Sequence, residues 1–478
     1  MRKMIFIEPK SPNLHIFSKF QIPRLGSFIL GTMMKNRGWD VEIQVEELHA
    51  LSFEDIRKAD LVGISTITPT APRAYAIADR VRSMGIPVIM GGPHVSFLPD
   101  EAMEHSDYVV RGEGERPLMS LVDSLESGSS FAGIPNLSFR ENGCVVHNPM
   151  DGSFQDLDRI PHADFSLLHQ GALPSVAGRR IIPVQTSRGC PYNCSFCSVT
   201  GMFGRRYRFR STDHILEELR RYNDPRNFVF FYDDHFTADR RRTQALLTAM
   251  IDEKMRFQWS TQVRVEIGND PDLVGLMKKA GCHTLFIGLE SVNPDSLEEM
   301  GKRQTVQNIE QAIRVLQKNR IHIHGMFVYG FDQDDWKTVR QTVRFAKKAR
   351  LTSTQFLILT PLPGSEFYRK VAAENRIRFQ DWSLYDAHHP VFEPRRFTLA
   401  ALQKAQIFSH GSFYSISEMF KKLASGRWVD LGLAHYARRL NRFWKRKNRT
   451  FLKALDLLSH QNGARILLDY QTNIELDP

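Results

Sequence analysis

Short apolar runs alternate with amphipathic stretches along most of the chain, and that alternation predicts its elements. Residues 4–9, 40–45, 59–65, 87–92 and 108–115 are rich in Ile, Val and Phe, are closed by Pro, Gly or polar groups, and read as strands. Between them, residues 26–37, 71–84 and 116–127 repeat apolar positions at helical spacing. Strands separated by helices predict a doubly wound, Rossmann-like parallel sheet, whose ligands sit at the carboxyl ends of the strands.

The pattern then weakens. Residues 136–144 suggest a small hairpin with an Asn142-Gly143 turn, and polar, proline-punctuated sequence follows through Asp158-Arg159-Ile160-Pro161. We read 136–178 as a linker behind a first domain at 1–135. From 179 to 395 the strand–helix alternation resumes, with strands near 181–184, 227–236, 257–264, 284–291, 321–330 and 355–364 and helices at 214–222, 271–280, 306–319 and 334–350. Six such units predict a partial (β/α)6 barrel with its chemistry at the strand ends. Beyond 396 the periodicity is helical to about 469. The fold class is therefore α/β with a helical C-terminal region.

Composition changes this picture little. The 478 residues are 42% hydrophobic and 24% charged, an ordinary globular balance. No run is long and apolar enough for a membrane span, and Met1-Arg2-Lys3-Met4 leads straight into a strand without a signal-peptide pattern. Five cysteines, an odd number, argue against a disulfide framework and for a reducing cytoplasm. The net charge of +11 is concentrated late: residues 438–449 hold seven basic side chains beside Trp428, Phe443 and Trp444. That segment suits the inner face of an anionic membrane, a nucleic acid, a partner, or plain solvent.

The candidate chemistry lies at the first barrel strand. Thr186-Ser187-Arg188-Gly189-Cys190-Pro191-Tyr192-Asn193-Cys194-Ser195-Phe196-Cys197 places three cysteines at C-x3-C-x2-C spacing. One loop can deliver three thiolates to a [4Fe–4S] cluster, leaving one iron open; four protein ligands are usual. Zinc in a structural site wants four closed Cys or His ligands, and Cys144 and Cys282 stand alone.

The motif, following a strand and followed by a barrel pattern, resembles the radical S-adenosylmethionine (SAM) superfamily. That resemblance implies Cys190, Cys194 and Cys197 as cluster ligands and SAM on the open iron. It implies Asp233 and Asp234 near the SAM ammonium, and Glu290 and Ser291 near the ribose and carboxylate. Upstream, Ser65 ends one strand and Gly91-Gly92-Pro93-His94 the next, an order that resembles the cobalamin-binding domain of cobalamin-dependent radical SAM enzymes. Ser65, Gly91 and Gly92 would then hold the cobalamin nucleotide tail. The cobalt-binding D-x-H-x-x-G of many such domains is missing: Asn13-Leu14-His15 lacks its Asp and Gly, so His15 reads as an ordinary loop residue.

The resemblance implies reductive cleavage of SAM to a 5′-deoxyadenosyl radical and C-methylation of an unactivated carbon. The partners would be a small-molecule substrate and a reductant such as flavodoxin or ferredoxin. A radical cyclase or rearrangement enzyme, a first domain without cobalamin, and, less favoured, a metal-containing nucleic-acid-binding protein stay open.

Overall fold

The structure, a computed structural model, describes residues 2–13, 22–152, 155–171 and 173–460. The first sheet contains β1 (Lys3–Glu8), β2 (Asp40–Val45), β3 (Leu61–Ser65), β4 (Val88–Gly91) and β5 (Tyr108–Val110), all parallel, in the order β2-β1-β3-β4-β5. Successive side chains serve opposite cores, which is why these strands read as continuous apolar runs. Met4 and Phe6 pack under helices Leu25–Asn36 and Glu115–Ser127, while Ile5 and Ile7 pack under Ala71–Ser83 and Pro99–His105.

The hairpin that the sequence placed in the linker instead extends this sheet. β6 (Leu137–Glu141) pairs antiparallel with β5, and β7 (Cys144–His147) pairs with β6. Its turn places Asn142 and Gly143 at positive φ, 51° and 83°, the conformation that favours Asn-Gly between paired strands. Short, half-polar strands carry little signal until the edge they complete is known.

In the second sheet β8 (Ser175–Val176) runs antiparallel to β9 (Arg179–Val184). A two-residue ladder joins β10 (Ser187–Arg188) to β11 (Arg208–Phe209). Then come β12 (Asn227–Phe231), β13 (Gln258–Val263), β14 (Cys282–Glu290), β15 (His322–Tyr329) and β16 (Ser353–Ile358). From β9 to β16 the neighbours are parallel and sequential, the six-strand partial barrel expected. Val229, Phe231, Trp259, Leu285, Ile287 and Phe356 bury one face against the intervening helices. The opposite face carries half-buried Phe228, Phe230, Phe286 and Met326.

Helices Leu399–Phe413, Ile416–Ala424, Trp428–Lys447 and Arg449–His460 form the C-terminal region; the expected continuation to 469 lies outside the described residues, as does His15. A buried relay ties these helices to the barrel: His389 contacts Asp386 at 2.9 Å through Nδ1 and Asn448 Oδ1 at 3.0 Å through Nε2. Burial works against the charged imidazole, but Asp386 outweighs it and raises the His389 pKa. The aromatic segment 381–390 thus packs as a strut, with Trp382 donating to Glu101 of the first domain.

Candidate active site between the two sheets

The cysteine loop leaves the carboxyl end of β9 and is closed at its base by the β10–β11 ladder. Gly189 has φ +86°, and a Cβ there would lie 2.5 Å from the Arg206 carbonyl oxygen, so only glycine admits this closure. Asp233, fully buried at the end of β12, holds the loop's other strand. It accepts from Thr186 N and Ser187 N at 2.9 and 2.5 Å and from their hydroxyls at 2.7 and 2.8 Å. Both oxygens therefore accept from the loop, which gives Asp233 a structural task.

Cys190, Cys194 and Cys197 are free and half-buried. Burial pushes the Cys190 thiol up and that of Cys197 up to about 12, so thiolates form here only against the charge of a bound metal. Three thiols from one short loop, with no fourth Cys or His ligand evident among the described residues, fit a [4Fe–4S] cluster with one open iron better than a closed four-ligand zinc site. The Arg264 guanidinium lies 3.7 Å from Cys194 Sγ and 3.7 Å above the Tyr192 ring, fixed by Glu266 at 2.9 Å.

Asp234, the neighbour of Asp233 just beyond the end of β12, is exposed where Asp233 is buried. It is solvent-accessible within the concave mouth and makes no hydrogen bond among the described residues. Surrounding protein and the adjacent Asp233 charge raise its pKa to about 7. Glu290 ends β14 with φ +59° and pairs with Lys302 at 2.6 Å; Lys302 also reaches the Gly288 carbonyl at 2.8 Å. Ser291 is buried and accepts from Asn293 N at 3.1 Å. This corner meets the cysteine loop where Ser195 N donates to Met300 O at 3.2 Å.

On the other side, Ser65 and Gly91 are register partners at the ends of β3 and β4, with Gly92 next to them. They line an open cleft of about 290 Å³, faced from the barrel by Gln185, Arg188, Met202 and Tyr232. A Cβ on Gly91 would meet only Val110 O, at 3.9 Å, and so would project into space that a ligand can use. At Gly92, with φ +104°, a Cβ would sit 2.5 Å from Thr66 O and 2.9 Å from Thr66 N. Gly92→Ala is expected to destabilise the chain by about 2–5 kcal/mol through the glycine-only conformation and the overpacking. Thermal unfolding and retained corrinoid absorbance measure it.

Three features of this region escaped the sequence reading. Arg24 Nη1 donates to the Ser65 carbonyl at 2.7 Å and borders the cleft. Tyr232 projects into the cleft, 39% exposed. A buried ion cluster bolts the cysteine loop to the first domain: Arg188 pairs with Glu113 at 3.1 Å and Glu115 at 2.6 Å, and Arg208 pairs with Glu113. Arg210, also buried, pairs with Glu218 at 2.5 Å.

Known proteins share this arrangement. Residues 184–346 match the radical SAM superfamily and residues 16–122 the B12 binding domain. The uncharacterized methyltransferase PH0819 of Pyrococcus horikoshii is 35% identical, over 82% of this chain and 88% of its own. Bacteriochlorophyllide d C-12(1)-methyltransferase of Chlorobaculum tepidum is 28% identical over 88% and 89%. The structure of OxsB, a cobalamin-dependent S-adenosylmethionine radical enzyme with aqua-cobalamin and S-adenosylmethionine bound, superposes with a TM-score of 0.69, covering 94% of this chain and 75% of that one. At 16% identity that likeness speaks for the fold. With the cysteine loop, the glycine-edged cleft and both domain matches in one chain, this protein belongs to the cobalamin-dependent radical SAM enzymes.

Proposed function

We propose that the protein is a C-methyltransferase acting on an unactivated carbon of an apolar small molecule. One observation carries this reading: the cleft edged by Ser65, Gly91 and Gly92 is walled on its barrel side by Arg188 at the base of the cysteine loop, by Met202 and Phe203 just beyond the cysteines, and by Tyr232. When bound, the cluster supplies the electron that cleaves SAM to methionine and a 5′-deoxyadenosyl radical, and cobalamin carries the methyl group.

In this reading Cys190, Cys194 and Cys197 hold three irons, Arg264 faces the Cys194 sulfur, and Asp233 fixes the loop. Asp234 takes the SAM ammonium, and Glu290 and Ser291 bound its ribose side. Ser65, Gly91 and Gly92 let the nucleotide tail of cobalamin pass. Half-buried Phe228, Phe230, Phe286 and Met326 on the inner barrel face offer the substrate apolar walls. The named substrate of the Chlorobaculum relative, a bacteriochlorophyllide, has that character. A flavodoxin or ferredoxin supplies electrons in a cytoplasmic setting; among the described residues no helix is long and apolar enough to cross a membrane. The basic C-terminal helices give a peripheral contact with an anionic membrane.

The test is anaerobic reconstitution with dithionite, SAM and bacteriochlorophyllide d as probe. A product heavier by one methylene, with 5′-deoxyadenosine, is expected; a product of unchanged carbon count, as from cyclisation, would overturn methylation. The role of Asp234 has its own signature. Only its carboxylate attracts the ammonium, so SAM affinity should weaken as pH falls through about 7. Asp234→Asn should weaken SAM binding about 10–100-fold at neutral pH and flatten that pH dependence, as read by equilibrium dialysis.

A further inference from the structure

Helices Ile416–Ala424 and Trp428–Lys447 lie side by side and enclose an open trough of about 660 Å³. Its floor is aliphatic, built from Ile416, Met419, Leu423 and Leu431, and Phe420 and Phe443 stand in it. Arg438, Arg439, Arg442 and Arg446 form its wall. Phe420 is 66% exposed and Trp428, at the start of the second helix, 67%. Large apolar side chains grouped at such exposure mark an interaction surface on a soluble fold.

The charge on this face is equally unspent. None of the four arginines has an ion pair among the described residues, whereas Arg427 pairs with Asp430 and Lys421 with Glu418 at 2.9 Å. Asp430 is the only acidic residue of the second helix, and it is buried. Positions 438, 442 and 446 repeat at i, i+4 and i+8, one stripe along the helix flanking the apolar floor.

We infer that this trough docks on an anionic phospholipid bilayer. Phe420, Trp428 and Phe443 enter the boundary of the acyl chains, and the arginine stripe meets the lipid phosphates. A nucleic acid would use the arginines but finds no use for an aliphatic floor. The bilayer supplies both chemistries side by side, with the charge outside and the hydrocarbon within. This deepens the peripheral contact proposed above and rests on that part of the reading, not on the reaction.

Co-sedimentation of the full chain with vesicles tests it. Binding to phosphatidylcholine vesicles containing phosphatidylglycerol should exceed binding to phosphatidylcholine alone by at least about tenfold and fall with salt. Phe420→Ser combined with Trp428→Ser, both at exposed sites, should lower binding about tenfold or more. Arg438→Gln combined with Arg442→Gln should remove the preference for phosphatidylglycerol. Absence of vesicle binding would overturn the inference. So would self-association abolished by the same substitutions, which would mean that a second copy covers the trough, or salt-sensitive RNA retention untouched by the Phe and Trp changes. Both variants should cleave SAM at the native rate; vesicle binding without SAM cleavage in the native chain would sink the catalytic reading and leave this one standing.

Discussion

Cys194→Ala should yield a folded protein that retains little iron or sulfide and cleaves SAM at least about 100-fold more slowly than the native chain. Loss of an outer-shell partner alone typically costs 10–100-fold in metal affinity or activity, and a missing thiolate removes more. The surroundings sharpen the effect. Burial raises Cys190 and Cys197, so the remaining thiols release their protons only to a metal that binds well. Cys144→Ala, at the exposed start of β7, should leave iron content and SAM cleavage unchanged. Iron and sulfide analysis with 5′-deoxyadenosine production under dithionite separates the two variants. An alanine variant at Cys194 that kept its full iron would remove that sulfur from the ligand set.

The cysteine loop was legible because its chemistry is local: three thiols within eight residues, behind an apolar strand and a glycine. That Ser65 and Gly91-Gly92 share one edge was legible for a related reason. Parallel neighbours in a doubly wound sheet bring their carboxyl ends to one edge, whatever lies between them. Asp233 and Asp234 could not be separated in this way. The two are adjacent carboxylates in the turn after β12, and only the position of Thr186 and Ser187 shows that Asp233 accepts from four donors. Glu290 looked open toward a ligand, whereas Lys302, twelve residues away, engages one of its oxygens. The C-terminal arginines were visible as charge, but the trough beside them needs the neighbouring helix Ile416–Ala424, whose place against them periodicity does not give.

The hardest element to foresee is the clamp between the domains, because it joins residues about 75 positions apart and its glutamates lie in a glycine-rich strand end. Arg188→Met should cost about 3–5 kcal/mol, the usual penalty when one partner leaves a buried pair. Arg188 and Glu115 are each only 7% exposed, and among the described residues no second cation hydrogen-bonds Glu115. Burial alone would raise the Glu115 pKa; the Arg188 charge more than offsets it and holds the carboxyl below its ordinary range. The sign follows: a carboxylate depressed in the folded state stabilises above its unfolded pKa, and that contribution disappears as pH falls through the depressed value. In the native chain the clamp therefore holds at neutral pH and releases only in acid. Arg188→Met should lose that acid-sensitive component, and adding Glu115→Gln should recover part of the lost stability by removing the stranded charge. The functional consequence is separable from folding. Below its melting temperature the variant should keep its three cysteines and still cleave SAM, yet transfer fewer methyl groups per 5′-deoxyadenosine formed, because the cleft and the cluster loop no longer share a rigid seam. A variant that lost both activities in proportion would mean that Arg188 serves the loop alone.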